Sequence, residues 1–210
     1  MREPMQPTDR RGFLKQLGLV GAGVAAAGVV KAGITCQANF CDVGVPTAEM
    51  DRVYEPQQNS QWCWAACINM VFAHYGLYVP QREIVRRSFG GMVNMPATPD
   101  LIIANLNAAW RSQTGESFRV ESDHTTAGPQ LAASELRDGH PLIIGTMGHA
   151  MVLSAMRYSY DTVGRFQLYE MIVRDPWPGR GRRTLSPQEI QNLDRGFAVR
   201  IRARRSRFGL

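Results

Sequence analysis

The sequence predicts an α+β fold, in which helices come first and an antiparallel sheet follows. Three observations carry that prediction. Apolar residues recur at steps of three and four from Cys63 to Tyr75, the period of a helix. The second half instead holds short apolar or alternating runs at residues 141–146, 150–156, 166–174 and 197–203, the pattern of strands. The two patterns are segregated along the chain, as in α+β architectures.

Residues 33–50 read as an extended linker, and Asp51 to Pro56 leads into a glutamine-rich turn, Gln57 to Gln61. The helix that starts at Cys63 is apolar nearly all round, interrupted only by Asn69 and His74, so it belongs in the core. Gly76 is its stop signal. A shorter helix starts at Pro80 and runs to about Ser88, where Gly90-Gly91 breaks it. Residues 91–98 form a loop, Pro99-Asp100 opens a helix over residues 101–110, and residues 112–116 turn. A short strand over residues 118–121 follows. A helix then runs from Gly128-Pro129 through Leu136 to the stop Asp138-Gly139. PLIIGT (141–146) is a continuous apolar strand, and Gly148 precedes His149 and the apolar run 150–156. Residues 175–179, DPWPG, are a strong turn. In residues 197–203, Val199 and Ile201 oppose Arg200 and Arg202, so one face is buried and one is wet.

The chain has 210 residues, 44 % of them hydrophobic and 20 % charged, which suits one globular domain with a short appendage. The formal charge of +6 is unevenly placed. The first 32 residues hold five basic and two acidic side chains, so 19 basic and 16 acidic remain, a net of +3. That balance is too mild for a nucleic-acid partner. Residues 1–32 resemble a twin-arginine export signal: Arg10-Arg11, then Phe13-Leu14-Lys15, then an apolar Gly/Ala-rich run from Leu17 to Val30. The run is short for a membrane span, and small residues near Ala27 and Ala32 offer cleavage sites. The rival is a weak N-terminal anchor. Export places the mature chain in the periplasm or outside the cell, with no stable membrane insertion after signal removal. An oxidising compartment also favours a small disulfide loop between Cys36 and Cys41; lipid modification of Cys36 is its rival.

Cys63 is the chemically suggestive residue. The first turn of a helix exposes N–H groups and a positive dipole end, which favour a thiolate. The same N–H groups can stabilise an oxyanion. Gln57, six residues upstream, carries an amide donor able to fold over the sulfur; Gln58 and Gln61 are its alternatives. The bland reading of Cys63 is a buried small apolar residue. A nucleophilic cysteine needs a base and an orienting group. Among four histidines, His149 is favoured, because it starts a strand beside a small residue. His74 shares the helix but lies too far along it, while His124 and His140 sit in a polar loop and a turn. Asp175, at the end of the neighbouring strand, is the candidate orienting carboxylate; Asp161 and Asp194 look solvated. Cys67 shares the helix face of Cys63 as a buried residue, a redox partner or a metal co-ligand with His149. The arginines at 180, 182, 183 and 200–207 read as a solvated face, or as a weak contact for anionic surfaces.

Together, Gln57, Trp62-Cys63-Trp64-Ala65-Ala66-Cys67, Gly148-His149 and Asp175-Pro176-Trp177 resemble the papain-like cysteine peptidases. The likeness is to a compact bacterial branch of secreted effector proteases and bacteriocin-processing, double-glycine peptidases. The resemblance implies a papain-like domain over residues 51–203, with a central cysteine-bearing helix packed on a C-terminal antiparallel sheet and a basic tail at 204–210. It implies Cys63 as nucleophile, Gln57 as oxyanion donor, His149 as base and acid, and Asp175 as orienter. Trp177 would shield the pair, and Trp62, Trp64 and Trp177 would contact substrate. Unlike papain, this chain has Asp in place of Asn and lacks Cys-Gly-Ser-Cys before the nucleophile. The expected function is an exported cysteine peptidase acting on a peptide or protein substrate, with neither metal nor organic cofactor. The rivals are an acyltransferase or cell-wall amidase with the same residues, and a non-catalytic peptide-binding module.

Overall fold

The computed structural model describes residues 33–124, 128–193 and 197–205. The expected export signal at 1–32, the last residues of the basic tail and Asp194 lie outside them.

The centre is helix α2 (Cys63–His74), in which every side chain from Trp64 to Phe72 is buried. A helix buried on all sides needs partners all round it. β6 (His149–Tyr160) covers one face, and α3 (Gln81–Phe89) and α4 (Pro99–Leu106) cover others. Phe72 meets Trp110 and Phe118 edge-on, with ring centroids 5.5 and 5.0 Å away. Burying side chains of this size stabilises the fold by about 1.5–3 kcal/mol each. The polar exception, Asn69, donates its amide to the Val79 carbonyl at 2.8 Å, so it ties the segment after α2 back onto the helix. Gly76 and Gly90 take left-handed backbone (φ 76° and 70°) after α2 and α3, as stop signals do.

Nine strands form one sheet among the described residues, and every pairing is antiparallel. With β1 (Gly33–Gln37), β2 (Phe40–Gly44), β3 (Ala109–Arg111), β4 (Ser117–His124), β5 (Leu142–Thr146) and β9 (Phe197–Arg205), the order is β1-β2-β6-β5-β9-β4-β3. β7 (Phe166–Asp175) pairs with β6, and β8 (Gly181–Thr184) pairs with β7. β6 is long enough to serve two neighbours on one edge: β5 along its first half and β2 along its second. Its register with β7 shifts at Leu153/Ala155 and again at Arg157/Tyr158. Such irregularities bend a strand and increase its twist.

Several elements depart from the sequence expectation. Residues 33–50 are no linker: they form the β1–β2 hairpin and the start of α1 (Thr47–Arg52), with Cys36 bonded to Cys41 across the hairpin. Their exposed, short-period pattern hides a strand pair that uses backbone hydrogen bonds more than side-chain burial. The helix expected over residues 101–110 ends at Leu106, because Trp110 turns into the core as part of β3 and donates its indole N–H to the Asn105 carbonyl. After the turn at 175–179 come β8 and a short helix, α6 (Pro187–Gln191), opened by a Ser186–Glu189 capping box. The helix starting at Pro129, α5 (Pro129–Arg137), matches the expectation closely. β9 reaches Arg205, so Arg204 and Arg205 belong to the sheet. Among the described residues no helix is long and apolar enough to cross a membrane.

Gly44 tests how tightly the 33–50 segment is built in. A Cβ placed there would lie 2.6 Å from Ala155 Cβ and 2.8 Å from the Ser154 carbonyl. Gly44→Ala is therefore expected to destabilise the fold by about 1–3 kcal/mol, read as a lower denaturation midpoint. A wild-type midpoint would mean that this segment is not packed on β6.

Candidate active site

Cys63 stands in the first turn of α2, half-buried, where backbone N–H groups have no helical partner. The sheet brings His149 to it. β5 and β6 are joined by the two-residue turn Met147-Gly148, both with positive φ (52° and 78°), closed by the pair Thr146 and His149. That is the primed-turn geometry whose twist suits a tight hairpin. Glycine adopts it freely; methionine does so at a cost of about 1–2 kcal/mol, and strain of that kind gathers at functional sites. The turn puts His149 at the very start of a rigid strand.

His149 Nε2 donates to Asp175 Oδ1 at 2.6 Å. The other ring nitrogen, Nδ1, is thus left for the Cys63 side chain, which lies close enough for the two groups to shift each other's pKa. Asp175 closes β7 and is fully buried. Its Oδ1 also accepts the Trp177 backbone N–H at 2.9 Å, and its Oδ2 accepts Arg183 Nε at 2.7 Å. Arg183 in turn forks onto both Glu189 oxygens at 2.9 and 2.6 Å. Trp177 meets the His149 ring edge-on at 6.3 Å and is 45 % exposed, a partial cover for the imidazole.

The protonation of the group follows from these contacts. Burial disfavours a charged Cys63. The hydrogen bond from His149, the Ala150 N–H, the imidazolium charge and the Trp64 N–H outweigh burial and lower the thiol pKa. Burial disfavours the imidazolium of His149 as well. Hydrogen bonds to Asp175 and Cys63, with the charges on both, overcome it and raise the ring to about 9. Burial pushes Asp175 up, yet His149, the Trp177 N–H and Arg183 together hold it well below the usual carboxylate range. The contacts therefore shift Cys63 toward the thiolate and His149 toward the imidazolium, each stabilising the charge of the other.

A cavity of about 310 Å³ opens beside the sulfur. One wall is Pro96, Ala97, Pro99 and Ile102; the other is the strand end and turn from Gly145 to Gly148. The tryptophans hold the first wall in place. Trp62 donates its indole N–H to the Val93 carbonyl at 2.8 Å, and Trp64 to the Met95 carbonyl at 3.1 Å. Both are almost completely buried; Trp64 lines the cavity and Trp62 does not.

Gln57 is buried in the turn before α2, and its backbone N–H donates to the Pro176 carbonyl at 2.8 Å. Its Nε2 donates to the carbonyls of Asn59 and Ser60, both at 2.9 Å. An oxyanion would have to displace one of those bonds. Cys67 lies buried beneath Cys63, its thiol pushed well up by burial and by the charges of Cys63 and Asp175. The other histidines are engaged elsewhere: His74 with the Gly139 carbonyl and Glu49, His140 with Glu135. His124 ends β4 rather than lying in a loop. Arg183 was expected on a solvated face, but its guanidinium turns inward, with 21 % of the side chain exposed. Only the Ser186–Glu189 capping spacing hints that Glu189 is fixed; nothing local couples it to Arg183 and Asp175.

A cysteine at a helix start, beside a strand-borne histidine across a helix–sheet seam, is the arrangement a cysteine peptidase needs. More narrowly, the family model described as Peptidase_C39 like family matches residues 50–195, and the chain belongs to that family of cysteine peptidases. No curated protein matches the chain. Solved structures resemble it distantly. A double glycine motif protease from an AMS/PCAT transporter, crystallised with the leader peptide, is 19 % identical over 72 % of this chain and 89 % of its own, with a TM-score of 0.42. The peptidase domain of Streptococcus ComA, a bifunctional ABC transporter involved in quorum sensing, is 18 % identical over 72 % of this chain and 97 % of its own, TM-score 0.47. UfSP from C. elegans is 15 % identical over 83 % of this chain and 35 % of its own, TM-score 0.47.

Alkylation by iodoacetamide reads the ion pair directly. At neutral pH Cys63 is expected to react and buried Cys67 to stay unmodified. The Cys63 rate rises with pH through a midpoint below the ordinary thiol value. His149→Ala removes both its hydrogen bond and its charge, so the midpoint moves up to about 8.5 or above. An unmoved midpoint would show that the ring does not stabilise the thiolate.

Proposed function

We propose that this peptidase is exported and hydrolyses peptide bonds through Cys63, His149 and Asp175. The observation that carries the reading is His149, which binds a buried carboxylate through Nε2 at 2.6 Å and has its other side beside Cys63.

A peptide in the cavity meets the Cys63 thiolate, which attacks the scissile carbonyl carbon. Negative charge moves to the carbonyl oxygen, beside the free N–H groups at the start of α2. Gln57 adds a second donor by turning its amide away from Asn59 and Ser60. His149 delivers its Nδ1 proton to the amide nitrogen, the C–N bond breaks, and the amine leaves. The acyl group stays on sulfur as a thioester. Water then attacks the thioester carbon while neutral His149 takes one of its protons. The C–S bond breaks, the acid departs, and the thiolate–imidazolium pair is restored. Asp175 stays ionised and keeps Nε2–H in place throughout. Export is supported by the Arg10-Arg11 motif and by a Cys36–Cys41 disulfide, a bond typical of oxidising compartments.

The experiment is hydrolysis of a mixed peptide library, with cut sites read by mass spectrometry. Cys63→Ala is expected to lower the rate by at least about 10⁴-fold with an unchanged circular dichroism spectrum. Wild-type kcat/KM is expected to fall as pH rises through about 9, because His149 then loses the proton it must give to the leaving amine. Peptide cleavage that survives Cys63→Ala, or transfer to added amines with no hydrolysis, would overturn the reading.

A further inference from the structure

We propose that Arg183 is a positioning residue for this reaction: its N–H on Asp175 Oδ2 holds the carboxylate in the plane that turns Oδ1 to His149, and it leaves residue 175 room only for a group that accepts through both atoms. The proposal rests on the hydrolytic reading of the Cys63 site.

Asp175 is fully buried and its two oxygens are divided between two sets of donors. Oδ1 faces His149 Nε2 at 2.6 Å and the Trp177 N–H at 2.9 Å. Oδ2 faces Arg183 Nε at 2.7 Å, with Arg180, mostly in solvent, farther off at 3.5 Å. A guanidinium has donors only and keeps its protons at any working pH. It cannot rotate away either, because Glu189 holds its other end bidentately. Glu189 is itself fixed, accepting the Ser186 N–H at 2.8 Å in the capping box. Its backbone carbonyl accepts the Thr146 hydroxyl at 3.0 Å. Thr146 pairs with His149 across the β5–β6 turn. The contacts close a ring: His149, Asp175, Arg183, Glu189, Thr146 and back to His149.

The ring has a chemical consequence once the leaving amine has taken its proton. Neutral His149 must then hold hydrogen on Nε2 and present a lone pair at Nδ1 to the attacking water. Asp175 enforces that tautomer while either of its oxygens points at the ring, and Arg183 holds the carboxylate in the orientation that keeps one there. It also explains why residue 175 is Asp. An Asn amide with its oxygen toward His149 would set its NH₂ against Arg183 Nε–H. Reversed, it would set NH₂ against the Trp177 N–H and demand the wrong imidazole tautomer. Asn is excluded by a donor-on-donor clash that Arg183 creates.

The test uses full-length variants and two readouts, kcat and KM for peptide hydrolysis and the rate of Cys63 alkylation by iodoacetamide at pH 7, each corrected for folded fraction. Asp175→Asn is expected to lower kcat by about 10³–10⁴-fold. Arg183→Gln alone lowers kcat about tenfold with KM nearly unchanged, and Arg183→Lys, which keeps a donor, loses less. In the Asp175→Asn background the order inverts. Adding Arg183→Gln, which supplies an acceptor, restores about tenfold, whereas adding Arg183→Lys restores nothing. A purely structural arginine would make the losses multiply. A double variant carrying Asp175→Asn and Arg183→Gln that is no faster than Asp175→Asn overturns the proposal, as does a wild-type rate in Arg183→Gln. If the wild type cleaves no peptide, the hydrolytic reading fails separately, and the same ordering in alkylation rates still decides the role of Arg183.

Discussion

The Asp175 carboxylate is a full charge with no access to water, and the rest of the site is arranged to make it tolerable. Removing such a charge from solvent costs several kcal/mol unless close donors replace the lost hydration. Here the donors come from three segments: the start of β6, the turn at 175–179 and β8. Each must be in place for the others to be stable, so the carboxylate fixes their mutual positions. Tyr54, from the segment before α2, adds a hydroxyl on the Asp175 carbonyl at 3.2 Å, which draws the N-terminal half of the domain to the same point. The carboxylate then favours a charged His149, and a charged His149 lowers the pKa of Cys63.

The helix side is organised by packing. α2 carries no acidic residue in its first turn, so nothing there competes with the sulfur for the positive end of the helix. Trp62, just before α2, and Trp64 in its first turn are the largest fully buried side chains among the described residues. Each satisfies its one polar atom on the backbone of the loop that forms a cleft wall. Asn94 adds contacts from that loop to the Gln61 N–H and the Ser60 hydroxyl. Cleft shape and nucleophile position are thus set by the same side chains.

Legibility in the sequence followed the range of the interaction. The Cys63 helix was readable because its apolar pattern and its Gly76 stop are local. The antiparallel sheet was readable from residues 142–146 and 166–174, where burial imposes a simple pattern. His149 stood out because a glycine turn precedes an apolar strand, and Asp175 because a strand ends at Asp-Pro. The β1–β2 hairpin escaped because all of β1 is exposed and only Val43 of β2 is buried, so burial left no period to read. Trp110 looked like a helical residue until its indole found Asn105. Arg183 was unreadable for a different reason: one arginine among many becomes special only when folding sets it beside Asp175 and Glu189. The tryptophans of the Cys63 motif carry a packing role that their sequence context does not show: both buried indoles hold the loop, and Trp64 also lines the cavity.

The order of the groups along the chain has a consequence for the growing polypeptide. Cys63 leaves the ribosome first, and the residues that ionise it arrive last, from His149 to Arg183. A domain is synthesised at roughly 5–20 residues per second, so for several seconds the nascent protein exposes only an ordinary thiol. β6 and β7 are contiguous in sequence and pair directly, so the imidazole and the carboxylate come from one hairpin while the sulfur comes from the earlier α2. The site can therefore be assembled only after almost the whole domain has been made.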